Sequence, residues 1–275
     1  MCFWAQLKER CSKNKKDFRI EDNMVTIEST SRLSNQDSQV SAFIVDNHDV
    51  VAESLASVLR SVGIVTTVLD VEDLSIGSAV GAVTRQRSLG SKTLVALIDL
   101  NLKPDLDGAD LIAPLTLEGV KVVVVSGVAD RVRLGGCIAM GAVALINKGR
   151  PLDVLLLAIS RIVAGENSMS LWEREVLLAE YRESESNRQR QLAMLGRLTN
   201  REKQVLVALV DGLVAAEIAE EFYISISTAR SEIRSILTKL GVHSQLDAIE
   251  LALQARWTPD FVQGNSLKKK FHQHW

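Results

Sequence analysis

From Ser41 onward the chain alternates between two textures. Short apolar runs at 42–46, 65–69, 94–99, 121–126 and 143–147 are separated by helix-length segments at about 49–62, 73–87, 108–117, 130–140 and 152–164. Alternation of this kind predicts a parallel sheet with helices on both of its faces. Strands covered on both sides have no polar face, which accounts for a run such as Val122-Val123-Val124-Val125. One segment fits badly. Gly135 and Gly136 fall inside the fourth helix. Each glycine disfavours a helix interior by about 1 kcal/mol relative to alanine, so that helix is expected to be soft or broken.

Beyond about residue 165 the short apolar runs end. Residues 172–195 predict one charged helix, rich in Glu and Arg, with Val176, Leu177, Tyr181, Leu192 and Leu195 as its apolar positions. Its middle lacks apolar residues, so a solvated spacer is expected rather than a coiled coil. Three closely spaced helices follow, at about 200–211, 215–222 and 225–240. The first has Thr199 as N-cap, Glu202 as the third residue of a capping box and Gly212 as its stop. Tyr223-Ile224-Ser225 then forms a tight turn.

The last of the three is strongly two-faced. Ile226, Ala229, Ile233, Ile236, Leu237 and Leu240 share one stripe, and Ser227, Arg230, Ser231, Arg234 and Thr238 share the opposite one. Two guanidinium groups and three hydroxyls on an exposed stripe, after a short helix and a tight turn, are what a helix in the DNA major groove needs. Arginine forks match guanine edges or phosphates, and hydroxyls reach phosphate oxygens. A plain amphipathic hairpin is the other reading that spacing alone permits. A final amphipathic helix is expected at 244–256, with Leu246, Ile249, Leu251 and Leu253.

Composition adds boundaries. At 275 residues the chain is long enough for about two domains. A net charge of -2 gives no hint of nucleic acid. Nor does the C-terminal part, where seven Lys and Arg stand against eight Asp and Glu between Gly196 and Arg256. Any positive footprint is therefore local to the exposed stripe. Cys2, Cys11 and Cys137 show neither metal spacing nor a disulfide framework, which suits a reducing cytoplasm. No stretch is apolar enough for a signal peptide or a membrane span, so no membrane partner is expected. Residues 1–39 and 258–275 are polar and aperiodic and are expected to be disordered, the latter as a basic tail around Lys268-Lys269-Lys270. Met24 is a second possible start.

Four polar residues stand at the ends of four different runs: Asp46, Asp99, Ser126 and Lys148. In an open α/β sheet the carboxyl edge of the strands is where ligands bind. Two carboxylates, a hydroxyl and an ammonium would converge there. Strands that merely end in polar residues are the alternative.

Two stretches resemble known families. LTNREKQVL, AAEIAEEFYISISTARSEIRSILTKLGV and their surroundings, about 60 residues, are similar to the LuxR/NarL-type DNA-binding domain. AFIVDNHDVV, LIDLNLKPDLDG, VVVVSG and GAVALINKG, across about 40–165, resemble the receiver domains of two-component response regulators. The resemblance implies an α/β doubly wound (βα)5 receiver at 40–166 with strand order 2-1-3-4-5. A linker helix at 167–196 and an all-α four-helix helix-turn-helix domain at 197–257 follow it. It also implies roles. Asp99 is the phosphoryl acceptor, and Ser126 and Lys148 contact the phosphoryl group. Mg²⁺ is held by Asp46, Asp99 and the backbone carbonyl of Asn101, with Asn47 as a weaker fourth ligand. Ser227, Thr228, Arg230, Ser231, Arg234 and Lys239 meet DNA.

The implied protein is a transcriptional regulator and not an enzyme. It would bind promoter DNA as a homodimer paired through the last helix. A sensor histidine kinase would drive it, and RNA polymerase would be a further partner. Departures from the family temper this. Arg230 stands where lysine is usual and Glu232 where histidine is usual. Asn47 replaces the second acid, Lys103 lengthens the loop after Asp99, and Leu145 replaces an aromatic residue. Asp49 is expected to charge the first helical turn rather than to replace the missing acid. These departures favour a rival in which a partner or ligand, and not phosphate, controls a DNA-binding protein. A phosphohydrolase would need an acid at Asn101 and is disfavoured.

Overall fold

The computed structural model describes residues 40–259. The expectations for the N-terminal arm, Cys2, Cys11, Met24 and the basic tail lie outside these residues. Two compact units are present. The first takes residues 40–128 together with Met140–Ser170, and the second takes Ala129–Ala139 and the residues from Leu171 onward.

The first unit is built on five parallel strands: β1 (Val40–Val45), β2 (Val65–Val68), β3 (Thr93–Ile98), β4 (Lys121–Ser126) and β5 (Ala144–Asn147). Their order across the sheet is β2-β1-β3-β4-β5, as expected. Helices α1 (Asp49–Ser61), α2 (Ile76–Ser88), α3 (Ile112–Leu117) and α5 (Leu152–Val163) belong to this unit. On one face Ala42, Ile44, Val95, Leu97, Val123 and Val125 pack with Ala52, Ala56 and Leu59 of α1 and Leu155, Ile159 and Ile162 of α5. The alternate strand residues, among them Phe43, Ala96, Ile98, Val122 and Val124, are equally buried. A sheet apolar on both faces is what the uninterrupted valine run required.

The segment after Asp99 is not a long open loop. Asn101–Lys103 and Leu106–Asp107 pair as a short antiparallel ribbon, and the Lys103 ammonium donates to the Glu72 carbonyl at 3.0 Å. The additional lysine is thus absorbed into a hairpin. Asp107 caps the following 3-10 turn (Gly108–Leu111) by accepting from the Ala109 N–H.

The second unit contains α4 (Arg131–Ala139), α6 (Leu171–Gly196), α7 (Asn200–Val210), α8 (Ala215–Glu221), α9 (Ile226–Leu240) and α10 (Gln245–Gln254). Here two expectations are corrected. The helix containing Gly135 and Gly136 is continuous, and both glycines are buried. A Cβ on Gly135 would fall 2.3 Å from the Leu177 carbonyl oxygen, and one on Gly136 would fall 3.2 Å from the Tyr181 ring. The glycines therefore serve close helix–helix approach, and propensity yields to packing. Correspondingly, α6 is not solvated along its first half: Leu177 and Leu178 are buried. The Arg131 guanidinium forks onto the Glu180 carboxylate at 2.8–3.1 Å. At its far end α6 buries Leu195 in the core of the last four helices, with Leu206, Ile218, Ala229, Ile233, Ile236, Ala248, Ala252 and Trp257.

Candidate functional site

Four of the five strands carry a polar residue at or just past their carboxyl ends, all at one edge of the sheet. The Asp99 N–H donates to the Val45 carbonyl at 2.8 Å and the Lys148 N–H to the Ser126 carbonyl at 3.2 Å, so the ladder carries on past the ends of β1, β3, β4 and β5. Asp46, Asp99 and Ser126 are buried there. The Lys148 ammonium bridges both acids, 2.7 Å from Asp46 Oδ2 and 2.8 Å from Asp99 Oδ2. Burial works against the charged lysine, yet hydrogen bonds to the two carboxylates outweigh it and raise its pKa above the ordinary value. Ser126 Oγ accepts from the Val128 N–H at 3.3 Å. Asn47 and Asn101 lie at the exposed mouth, and Asp49 opens the first turn of α1.

Two further residues shape this pocket and were missed in the sequence. Gly108 folds back against the acceptor aspartate, its N–H donating to the Leu100 carbonyl at 2.9 Å. A Cβ there would lie 1.9 Å from the Asp99 carbonyl oxygen. The Asp107-Gly108 pair was the available signal, a turn dipeptide. The other is His48, whose Nδ1 lies 3.3 Å from Asp46 Oδ1 and whose N–H donates to the same oxygen at 3.0 Å.

The donor set fits a small divalent cation. Two buried carboxylates and an oxygen-bearing mouth suit the hard, oxygen-seeking Mg²⁺, and the amide of Asn47 leaves it one charge fewer than a second acid would.

The second candidate surface is α9. Ser225 caps it by accepting from the Thr228 N–H at 3.1 Å, and Gly241, with φ of 65°, ends it in the left-handed conformation. Ala229, Ile233, Ile236 and Leu240 are buried, while Ser227, Thr228, Arg230, Ser231 and Arg234 are exposed. Ile226 departs from its expected stripe. It is 48% exposed. The hydroxyls of Ser227 and Thr228 both reach Ser225 Oγ, at 2.7 and 2.8 Å. Tyr223, at φ of 55° and 96% exposed, forms the turn before α9.

Lys239 has a partner within the protein. Its ammonium lies 2.7 Å from Glu202 Oε2. Glu202 is buried and also accepts from Ser235 Oγ and from the N–H and hydroxyl of Thr199. One carboxylate thus closes the capping box of α7 and fastens α7 to α9.

Comparison with known proteins follows this division. Residues 196–252 match the luxR family of bacterial regulatory proteins. A nitrate/nitrite response regulator protein homolog of Haemophilus influenzae is 29% identical over 215 residues, which are 78% of this chain and 96% of that one. The oxygen regulatory protein NreC of Staphylococcus aureus is 26% identical over 216 residues, with the same coverage. Among solved structures, full-length FixJ from B. japonicum aligns with 81% of this chain and 100% of its own, at 22% identity and a TM-score of 0.38. The chain thus joins a five-stranded parallel sheet with an acidic carboxyl edge to a luxR-type helix-turn-helix. The luxR-family match covers the C-terminal helices, and over most of its length the chain is similar to response regulators of the nitrate/nitrite and NreC kind.

Proposed function

We propose that this two-component transcriptional regulator is switched by phosphorylation of Asp99 and reads promoter DNA through α9. The observation that carries the first half is the bridge from Lys148 to Asp46 and Asp99. The ammonium already stands at the acceptor oxygen, where it can pair with phosphoryl oxygens once they arrive.

The chemistry follows from these groups. An Asp99 carboxylate oxygen attacks the phosphorus of a donor in line, the leaving group departs with the bond electrons, and an aspartyl phosphate forms. Lys148 then pairs with the phosphoryl oxygens, and Ser126 donates its hydroxyl to one of them. Mg²⁺ held by Asp46, Asp99 and the Asn101 carbonyl, with Asn47 contributing weakly, would supply the remaining positive charge. The donor class is a phosphorylated sensor histidine kinase. Ser227, Thr228, Arg230, Ser231 and Arg234 meet double-stranded DNA. Lys239, tied to Glu202, works as much in holding α7 to α9 as in approaching the phosphate backbone. The reading is completed by a cytoplasmic homodimer that engages RNA polymerase and is not itself an enzyme. Among the described residues no helix is long and apolar enough to cross a membrane.

Intact-mass measurement after incubation with a small-molecule phosphodonor and Mg²⁺ tests the switch. Wild type should gain one phosphoryl group and Asp99→Ala none, and Asn47→Asp should label faster. A second reading, control by partner or ligand without phosphate, is favoured by the neutral Asn47. It takes over if wild type and Asn47→Asp both stay unlabelled while wild type binds DNA. For DNA reading, Arg234→Ala should weaken a specific site by about 1–3 kcal/mol if it contacts a base edge. Unchanged affinity in both Arg230→Ala and Arg234→Ala rejects the assignment of α9.

A further inference from the structure

The head of α9 exposes two large side chains. Ile226, its first residue, is half exposed, whereas Ala229, Ile233 and Ile236 further along are buried. Tyr223, in the turn just before, is almost fully exposed. Its φ of 55° lies in the left-handed region, which glycine and asparagine visit readily and a bulky residue does not. Backbone strain of this kind, under a side chain that the core does not bury, is characteristic of positions kept for a site.

The hydroxyls of the same turn are already engaged. Ser225 Oγ meets the hydroxyls of both Ser227 and Thr228 and accepts from the Thr228 N–H. Ile226 is the side chain that this turn still presents. Ile226, Arg230 and Arg234 are fourth neighbours along α9, and on a helix such residues form one row. Ile226 therefore extends the line of the two exposed arginines toward the start of the helix. Successive members of the row are about 6 Å apart along the axis, which is close to two base-pair steps of about 3.4 Å each.

We propose that Ile226 reads thymine: its side chain packs against the 5-methyl group in the major groove, and Tyr223 anchors the same turn by donating its hydroxyl to a phosphate. The inference rests on the reading of α9 as the helix that meets DNA. The first residues of such a helix are the ones that reach base edges. Thymine alone offers a methyl group in the major groove, and apolar side chains select it by contact. An aliphatic side chain has no hydrogen bond to give a phosphate, so Ile226 acts on the choice of sequence and not on overall attraction. The thymine lies within about two base pairs of the base met by Arg230. Its contribution carries no charge, so salt does not screen it.

The test uses the full chain, with and without a small-molecule phosphodonor and Mg²⁺, in whichever state binds DNA more tightly. Duplexes retained from a random-sequence library give the preferred site. Each thymine of that site is then replaced in turn by uracil, which removes one methyl group and leaves the pairing intact. At one thymine, or at its symmetry mate, uracil should weaken wild-type binding by about fourfold, the effect of one buried methyl group. The loss should be equal at low and high salt. Ile226→Ala, checked for native circular dichroism, should bind the thymine site more weakly and be indifferent to that uracil, and Ile226→Val should keep the sensitivity. Tyr223→Phe should keep it too, while losing about tenfold in affinity on every duplex alike. If uracil weakens binding at no thymine, the methyl contact is overturned. It is equally overturned if the uracil effect survives in Ile226→Ala, since the effect is then one of DNA shape. Unchanged affinity in Tyr223→Phe overturns the phosphate contact alone. If the library yields no preferred duplex, or Arg230→Ala and Arg234→Ala both bind it as wild type does, the reading of α9 itself fails and this inference fails with it.

Discussion

At the scale of single residues, three positions carry consequences out of proportion to their size. Gly108 lies so close to the Asp99 carbonyl that a methyl group cannot be placed there without moving one of them. Overpacking of this kind destabilises by about 1–3 kcal/mol. Because the displaced backbone is that of the acceptor, Gly108→Ala should also slow phosphoryl labelling by about tenfold or more, which intact-mass kinetics would register. Glu202 makes a prediction about pH. Burial opposes its ionisation, but hydrogen bonds from Lys239, Ser235 and Thr199 prevail and hold its pKa at about 2 against an ordinary 4.5. A lowered folded-state pKa means stabilisation that is complete above pH 4.5 and is lost as the pH falls toward 2. The gap is worth about 3 kcal/mol at most. Urea unfolding of wild type and Glu202→Gln should therefore differ most above about pH 4.5 and converge only as the pH approaches 2. Thr116 works in the opposite sense. Among the described residues its Oγ1 is buried without a hydrogen-bond partner, and Thr116→Val should leave stability unchanged or raise it by about 1 kcal/mol in a thermal melt.

Among the elements, the pairing of α4 with α6 is where sequence reasoning and structure part company. Strand positions and most of the faces of α9 were legible, because short apolar runs and a 3.6-residue stripe are local patterns, while the order of the sheet came from the family resemblance. Convergence of Asp46, Asp99, Ser126 and Lys148 was legible too, since strand ends in a parallel sheet share an edge. What local periodicity cannot express is close approach between helices distant in sequence. Gly135 and Gly136 look like defects until Leu177 and Tyr181 are placed against them. Glu202 looks like half of a capping box until Lys239 arrives from 37 residues away. His48 went unnoticed for a related reason: it neither ends a strand nor fits an apolar stripe. The glycine pairing is testable. Gly135→Ala puts a methyl group into the backbone of α6 and should open that contact. Hydrogen exchange of the amides around Leu177–Tyr181 should rise, while amides of α9 keep their protection. Unaltered exchange across α6 would mean that the glycines are not what holds the pair.

For the molecule as a whole, the question is how a chain of net charge -2 binds a polyanion. Its last unit offers no broad positive surface, and Lys239 is already engaged by Glu202. Arg230 and Arg234 then remain as the cations of the exposed stripe of α9. Burial of α10 is uneven in a way that bears on this. Ala248 and Ala252 face the core, and Leu246 is 71% exposed. A helix that turns small residues inward and leaves a leucine outside is suited to pairing with a second copy of itself, related by a dyad. Two copies would present four arginines to two half-sites about one helical turn apart. Each phosphate charge neutralised contributes about -0.9 to the slope of log affinity against log salt. Four at most predict a slope no steeper than about -4. Leu246→Glu should break the pairing, reduce the footprint to one half-site at any protein concentration reached, and roughly halve that slope. Anisotropy titrations between 50 and 200 mM salt on wild type and Leu246→Glu would measure both quantities. A wild-type slope well beyond -4 would mean that cations other than those of α9 reach the phosphates. The lysines at 268–270 are then the first to remove, since they are the densest positive run in the sequence.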